Sequence, residues 1–285
     1  MSAGGPERAR EPGLDPDEAA AVPAGRAPVP LPGGGRFAVW GLPAEPPLVA
    51  KIGPAAPLAR EAAALRRVAG RGVGPRLVAA AAGALLLEWL PGAPRDLVRL
   101  GRGEALALGA VVRRVHETAR AAAGGLPAWR GPARSLASYR ARRARDAAGL
   151  AATGGAGLAR AVVGALPPLP GAPEDRPFRL LHGDLVAANV IWDRTGPRLV
   201  DWEFWRLGDP AEDLAYLVEV NRLPDALTDA VLEGYGEPGV AARLDAWRAL
   251  VALDAGLWYA AAGRDDLAAP LLARAEALAV RRERS

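Results

Sequence analysis

Two aspartates and one asparagine in residues 180–215 have the types and spacing needed for chemistry on a phosphate group. Asp184 and Asn189 lie five positions apart just before the apolar run 190–192, and Asp201 ends a second apolar run. Metal-dependent phosphoryl transfer needs one carboxylate that accepts a hydroxyl proton, together with a carboxylate and an amide oxygen that hold Mg²⁺ on the phosphates. These three residues are therefore candidates for such a site.

The elements that must position these residues are two short strands. The residues between the apolar runs, 193–197, contain the Asp, Gly and Pro that are typical of a turn, so the segment is predicted to form a β-hairpin. Because a hairpin returns its far end to its start, Asp201 can lie beside the loop that carries Asp184 and Asn189. The alternative is that all three residues only form turns and cap a strand end.

The same stretch resembles a known enzyme family. His182, Asp184 and Asn189 have the H-x-D-x-x-x-x-N spacing of the kinase catalytic loop, and Asp201 follows at a strand end. With Gly183 after the histidine and Trp-Glu after the second aspartate, the chain resembles the superfamily of aminoglycoside phosphotransferases and choline kinases. The resemblance implies an α+β, protein-kinase-like fold of two lobes, with a small antiparallel-sheet N-lobe and a larger, mainly helical C-lobe.

The resemblance also implies a role for each residue of the loop. Asp184 would accept the proton of the substrate hydroxyl, and Asn189 and Asp201 would bind Mg²⁺. His182 would orient the catalytic loop, and Asp213 would brace it. ATP and Mg²⁺ are the expected cofactors, and a small-molecule hydroxyl compound is the expected acceptor.

The only lysine of the chain, Lys51, lies in an apolar predicted strand, although the other 35 basic residues are arginine. A buried ammonium group is costly unless an anion meets it, and a kinase strand lysine meets nucleotide phosphates. Glu61 lies ten residues later in a helix predicted over 54–70, at the place of the glutamate that fixes such a lysine. The alternatives are a lysine that reaches water from a strand edge and an ordinary exposed glutamate.

Further nucleotide contacts are expected from a glycine run and a hinge. Gly34 and Gly35 could let backbone N–H groups approach phosphate, although Arg36-Phe37 stand where the resembling family usually carries Ser-Asn. The strand predicted over 84–88 resembles the inter-lobe hinge of that family, which implies that backbone groups around Glu88 and Leu90 would hold the adenine.

The domain organisation is predicted partly from composition and partly from the resemblance. Residues 1–30, rich in Pro, Gly and Ala, are expected to be flexible. The resemblance implies that 31–90 form the nucleotide-binding N-lobe and 91–285 the catalytic and substrate-binding C-lobe. Helices are predicted over 102–121, about 135–150, about 155–166, 210–221, 224–235, 240–262 and 267–283.

The charge pattern does not favour a nucleic-acid partner. The net charge is +4 and the pI about 10.0, but the arginines are spread along the chain, and the cluster within 134–145 is interpreted as a solvated helix face. No apolar run is long enough for a membrane span, and the N-terminus lacks the apolar core of a secretory signal. The absence of cysteine fits a reducing compartment, so a cytoplasmic location is expected.

The acceptor is expected to be an amino alcohol similar to choline, ethanolamine or thiamine. Glu203 after the strand-end Asp-Trp, and Val186 in the loop, resemble that branch of the superfamily. Asp254 and Trp258 share a helix stripe on which a carboxylate and an aromatic face could hold a cationic substrate, with plain packing as the alternative.

Two other functions are kept as alternatives. One is an antibiotic kinase acting on an aminoglycoside or a macrolide, for which an acidic wall from Glu219, Asp225, Glu233 or Asp254 would suit a polyamine sugar. The other is a nucleotide-binding pseudokinase with a regulatory role, supported by the altered glycine run.

Overall fold

The computed structural model describes residues 27–32, 36–118 and 179–283. The glycine run with Gly34 and Gly35, the two helices predicted within 135–166 and the arginine cluster within 134–145 lie outside the described residues.

The N-terminal part is a five-stranded antiparallel sheet with one helix. Its strands are β1 (Val29–Leu31), β2 (Ala38–Leu42), β3 (Leu48–Ile52), β4 (Leu77–Ala81) and β5 (Ala84–Glu88), in the spatial order β1-β2-β3-β5-β4. Helix α1 (Ala55–Val68) packs against β4 and β5. The sheet thus begins two residues before the start predicted for the N-lobe.

Helix α1 forms because its apolar residues recur at helical spacing. Leu58, Ala62, Leu65 and Val68 are buried on one face. Glu61 lies on the same buried face, so the helix carries one carboxylate toward the sheet.

The C-terminal part is mainly helical. Its helices are α2 (Arg102–Glu117), α3 (Pro210–Val220), α4 (Asp225–Tyr235), α5 (Pro238–Ala261) and α6 (Asp265–Glu283). Helix α2 packs against α4, and α5 packs against both α3 and α6. These bounds agree with the predicted helices to within four residues. Among the described helices, none has both the length and the apolar character needed to cross a membrane.

Five short strands support the loop between the two parts. They are β6 (Ala93–Pro94), β7 (Arg179–Leu181), β8 (Val190–Asp193), β9 (Gly196–Leu199) and β10 (Arg206–Gly208). The predicted hairpin is β8–β9, in which Asp193 pairs with Gly196 across the turn. The backbone N–H of Leu199 donates to Val73 O at 2.8 Å and so joins the hairpin to the N-terminal part. The α+β architecture, with a small antiparallel sheet and a helical second part, is as predicted.

Candidate active site

The loop between β7 and β8 presents Asp184 and Asn189 side by side. The Asn189 Nδ2 group donates to Asp184 Oδ2 and to Asp184 O, both at 2.9 Å. The loop turns sharply at Gly183, whose φ is +86° and where a Cβ would lie 2.3 Å from Phe204 O. Glycine is therefore required immediately before Asp184.

A tyrosine that the sequence analysis did not identify contacts the other oxygen of Asp184. The Tyr216 hydroxyl donates to Asp184 Oδ1 at 2.9 Å. Burial raises the pKa of Asp184, and interactions with His182, Tyr216 and Asn189 offset only part of that rise. The carboxylate is thus a stronger base than an ordinary aspartate, as a proton acceptor requires. Tyr216 lies one helical turn after Asp213, and this spacing is the one signal that could have indicated it.

Asp213 holds the start of the loop through its backbone. Its two oxygens accept hydrogen bonds from the backbone N–H groups of His182 at 2.7 Å and Gly183 at 2.9 Å. The Nε2 atom of His116 lies 3.1 Å from the same carboxylate, so His116, to which the sequence analysis gave no role, also contacts this support.

His182 is fully buried and joins the loop to the end of β9. Its Nδ1 accepts from the backbone N–H of Asp184 at 3.3 Å, and its Nε2 lies 3.0 Å from Val200 O. Nε2 therefore carries the ring proton, because a carbonyl oxygen can only accept. Burial lowers the pKa of His182, which favours the neutral ring and an orienting role over proton transfer.

Lys51 connects β3, α1 and the end of β9. Its Nζ lies 2.7 Å from Glu61 Oε2 and 2.8 Å from Asp201 Oδ1. Burial acts to lower the pKa of Lys51, but the charges of the two carboxylates outweigh it and raise the pKa, so the group is cationic at neutral pH. Asp201 adopts a left-handed conformation, with φ of +65°, which turns the chain directly after the strand. Aspartate tolerates this region better than most residues.

The donor atoms at Asn189 and Asp201 fit a hard cation such as Mg²⁺. The amide nitrogen of Asn189 is used by Asp184, so the amide oxygen is the atom left for a cation, and Lys51 contacts only one oxygen of Asp201. The backbone N–H of Val200, the residue before Asp201, donates to Asn189 O at 3.0 Å. This hydrogen bond holds Asn189 and Asp201 close together. Among the described residues no group of three or more His, Cys, Asp or Glu could hold a metal alone. The oxygens of Asn189 and Asp201 suit Mg²⁺, which usually takes one or two carboxylates and completes its shell with phosphates and water.

The predicted hinge follows β5. The Glu88 side chain accepts from the backbone N–H of Arg76 at 2.9 Å and lies 3.5 Å from Arg198 Nη1, so any contact with a nucleotide falls to backbone groups here and at the buried Leu90. The chain then passes close to β8 at Gly92, where a Cβ would lie 2.2 Å from Trp192 O.

The residues predicted to contact the acceptor lie in two different places. Glu203 is buried, and its carboxylate is paired with Arg36 of the N-terminal part at 2.7 Å. Asp254 and Trp258 lie one turn apart on α5, where the ring of Trp258 is 63% exposed and packs edge-on against Tyr259. Burial and then the charge of Asp184 raise the pKa of Tyr259.

Two of the four acidic residues suggested as a wall for a polyamine, Glu219 and Glu233, form ion pairs elsewhere. Glu219 is buried and pairs with Arg248 of α5 and with Arg274 of α6 at 2.9 Å. Glu233 pairs with Arg102 at the protein surface. Glu219 therefore stabilises helix packing, and these residues do not form one acidic surface.

Comparison with known proteins identifies the family of the chain. The model of the phosphotransferase enzyme family matches residues 29–253. The viomycin phosphotransferase of Streptomyces vinaceus is 35% identical over 94 residues, a segment that is 30% of this chain and 32% of that protein.

Two solved structures cover nearly the whole chain. A choline/ethanolamine kinase family protein from Mesorhizobium loti has a TM-score of 0.62 and 22% identity, over 92% of this chain and 94% of that one. A macrolide 2'-phosphotransferase from Brachybacterium faecium has a TM-score of 0.61 and 23% identity, over 92% and 93% of the two chains. These similarities confirm the predicted kinase-like fold, and the family match covers most of the sequence. The chain belongs to the phosphotransferase enzyme family.

Proposed function

We propose that the protein transfers the γ-phosphate of ATP to a hydroxyl group of a small molecule, with Asp184 as the catalytic base. The observation that carries the proposal is the convergence of two sets of residues. Lys51, Glu61 and Asp201 form one bonded group, and Asp184 and Asn189 form another. The hairpin joins them through the backbone bond between Val200 and Asn189.

Each group has one task in this mechanism. Lys51, fixed by Glu61, binds nucleotide phosphates, and its raised pKa keeps the charge in place. Asp184 accepts the proton of the acceptor hydroxyl, and hydrogen bonds from Asn189 and Tyr216 fix its two oxygens. Asn189 and Asp201 would hold Mg²⁺, which neutralises charge on the transferred phosphoryl group.

The acceptor proposed is an amino alcohol of the choline, ethanolamine or thiamine kind. The exposed Trp258 and the neighbouring Tyr259 form a ring pair at the end of α5, which packs against α3, the helix that carries Tyr216, and aromatic faces attract ammonium groups. An antibiotic acceptor is the second candidate, because the sequence relative named above acts on viomycin and one structural neighbour is a macrolide phosphotransferase.

The test is Mg²⁺-dependent release of ADP from ATP across a panel of hydroxyl compounds. The panel contains choline, ethanolamine, thiamine, aminoglycosides, viomycin, macrolides and simple sugars, and each compound is run with wild type and with Asp184→Asn. Loss of a general base typically costs a factor of about 10²–10⁴, so Asp184→Asn should nearly abolish turnover. Its Mg·ATP affinity should be little changed, because Asp184 contacts the acceptor side.

Asp201→Asn gives the complementary result. Asparagine tolerates the left-handed backbone at this position, so the fold is retained while a metal-binding charge is lost. We expect weaker Mg²⁺-dependent ATP binding, measured by titration calorimetry with and without Mg²⁺. Wild-type activity in both variants would contradict the assignment. Tight Mg·ATP binding without turnover of any compound would instead favour the pseudokinase.

A further inference from the structure

Arg36 places a second cation close to Lys51, and none of the roles described above uses it. The guanidinium of Arg36 lies 5.5 Å from the centre of the Phe37 ring, and the ammonium of Lys51 lies 4.3 Å from the same centre. Phe37 is held there because Gly53 has no side chain, since a Cβ at that position would lie 2.5 Å from the ring. Two cations are therefore gathered around one aromatic ring at the end of β3.

Each of these cations is paired with an acidic residue of the same short segment. Lys51 contacts Asp201, and Arg36 contacts Glu203 two residues later. This segment, Asp201 to Glu203, follows β9. Because both cations lie around the Phe37 ring and Lys51 is the residue assigned to the phosphates, both pairs lie on the phosphate side of the site. Around this segment, positive charge from the N-terminal part meets negative charge from the C-terminal part.

Within the part of the chain that the structure describes, the geometry of the Arg36–Glu203 pair leaves N–H donors of Arg36 available to bind an anion. Both hydrogen bonds come from a single nitrogen, Nη2, at 2.8 Å and 2.7 Å. The Nε and Nη1 groups are not used in this pair, and a guanidinium binds phosphate through just such pairs of N–H groups. The side chain of Arg36 is 52% exposed, whereas that of Glu203 is 8% exposed, so the acid is the buried anchor and the arginine the accessible partner.

We propose that Arg36 is a second phosphate-binding residue for the nucleoside triphosphate, and that Glu203 is the positioning residue that holds it. Arg36 would bind the phosphates through the N–H groups that Glu203 does not use, while Lys51 would bind them from β3. This inference rests on the proposed function, because it assigns a further contact to the same nucleotide.

The test compares Mg·ATP, which carries the phosphates, with adenosine, the nucleoside that lacks them. Dissociation constants for Mg·ATP and for adenosine are measured by titration calorimetry on wild type, Arg36→Ala, Arg36→Gln and Glu203→Gln. Arg71→Ala is the matched control, because Arg71 is an exposed arginine of the same part of the protein, in the loop between α1 and β4. Arg36→Gln keeps a side chain that can hydrogen-bond Glu203, so it tests the charge if the alanine variant folds poorly.

The expected result is specific for the phosphates. Hydrogen bonds to charged groups contribute enough that both Arg36 variants should bind Mg·ATP about 10- to 100-fold more weakly, with adenosine affinity unchanged. Glu203→Gln should weaken Mg·ATP binding by about two- to fivefold, less than the Arg36 variants do, and leave adenosine affinity unchanged, because Arg36 keeps its charge but loses the ion pair that positions it. Arg71→Ala should bind both ligands as wild type does.

Two results would overturn the inference while leaving the proposed function intact. One is Mg·ATP affinity in the Arg36 variants equal to that of Arg71→Ala. The other is an equal loss of affinity for ATP and adenosine, of the same size in Arg36→Ala and Glu203→Gln, which would make the pair a purely structural link. Failure of the wild-type protein to bind Mg·ATP would instead overturn the proposed function, and the inference with it.

Discussion

Both oxygens of the Asp184 carboxylate accept hydrogen bonds from neighbouring side chains. Asn189 fixes Oδ2 and the Tyr216 hydroxyl fixes Oδ1, so the protein itself sets the orientation of the carboxylate. An acceptor hydroxyl must approach one of these oxygens from the remaining free direction. Such preorganisation matters because misplacing a reacting group by about 1 Å can cost a factor of about 10² in rate.

Removing the Tyr216 hydroxyl tests this constraint at a single atom. Tyr216→Phe keeps the ring and its packing but frees Oδ1 of Asp184. We expect kcat to fall by about 10- to 100-fold through loss of orientation, while the affinity for Mg·ATP stays at the wild-type value. Steady-state kinetics with the best acceptor of the panel, together with calorimetry, would measure both. Unchanged kcat, or a parallel loss of nucleotide affinity, would contradict an orienting role.

The sequence predicted the residues whose type is unusual for their position. Lys51 is the single lysine in an arginine-rich chain and lies in an apolar strand, and Asp184 and Asn189 have a fixed spacing before a strand. Tyr216 was not predicted as a site residue because a tyrosine on an apolar helix carries no such signal, and Arg36 was noted only as a departure from the glycine run of the resembling family. Their roles depend on tertiary contacts, and these are absent from local spacing.

At the scale of elements, the C-terminal part depends on a close contact between α2 and α4. A Cβ at Gly109 of α2 would lie 2.0 Å from Val231 O, and a Cβ at Gly234 of α4 would lie 2.0 Å from Leu106 O. The backbones of α2 and α4 therefore come into direct contact at Gly109 and Gly234, where a glycine leaves room for the other helix. This contact sets the position of His116 on α2, which reaches Asp213 beneath the catalytic loop.

Adding a methyl group at this contact should destabilise the protein. Gly109→Ala gains helix propensity, but the new Cβ meets backbone atoms that cannot rotate away, so we expect the free energy of unfolding to fall by about 1–3 kcal/mol. Gly103→Ala in the same helix is the control, because a Cβ there meets nothing within 4 Å. Its stability should be unchanged or higher by less than about 1 kcal/mol. Urea unfolding measures both, and equal midpoints for the two variants would rule out the close contact.

The positions of the helices and of the hairpin could largely be predicted from the sequence, whereas which helices pack against each other could not. The predicted turn over 193–197 and the helices after 210 agree with the structure because turn residues and apolar periodicity are local signals. Periodicity shows which face of a helix is buried but not what covers it. The pairing of α2 with α4, and the engagement of Glu219 by two arginines, therefore needed the structure.

At the scale of the whole molecule, a chain of buried polar groups runs from the catalytic loop to the surface. The Asp213 carboxylate contacts His116, whose Nδ1 lies 3.0 Å from the Tyr235 hydroxyl. The Arg179 guanidinium donates to that hydroxyl at 3.2 Å and pairs with Glu237. The chain joins α2, α3, α4 and β7, so the loop geometry depends on how the C-terminal helices are assembled.

Asp213 should make the stability of the whole fold depend on pH. Burial alone would raise the pKa of Asp213, but its interactions with His116, Arg206 and His182 lower it below the ordinary value. A group whose pKa is lower in the folded state stabilises the fold above its unfolded pKa of about 3.9, and this stabilisation is lost as the pH falls through the folded pKa. Wild type should therefore lose stability on acidification below about pH 4, with up to about 1.4 kcal/mol per pH unit coming from this one group.

Asp213→Asn isolates that contribution. The variant should be less stable at pH 7 by about 1–3 kcal/mol, because the buried N–H donors of His182 and Gly183 lose their carboxylate acceptor. Its stability should also fall less steeply than that of wild type below pH 4, since position 213 no longer takes up a proton on unfolding. Urea unfolding at a series of pH values between 7 and 3 gives both quantities. Parallel curves for the two proteins would mean that Asp213 has the same pKa folded and unfolded, and that the support under the catalytic loop does not depend on its charge.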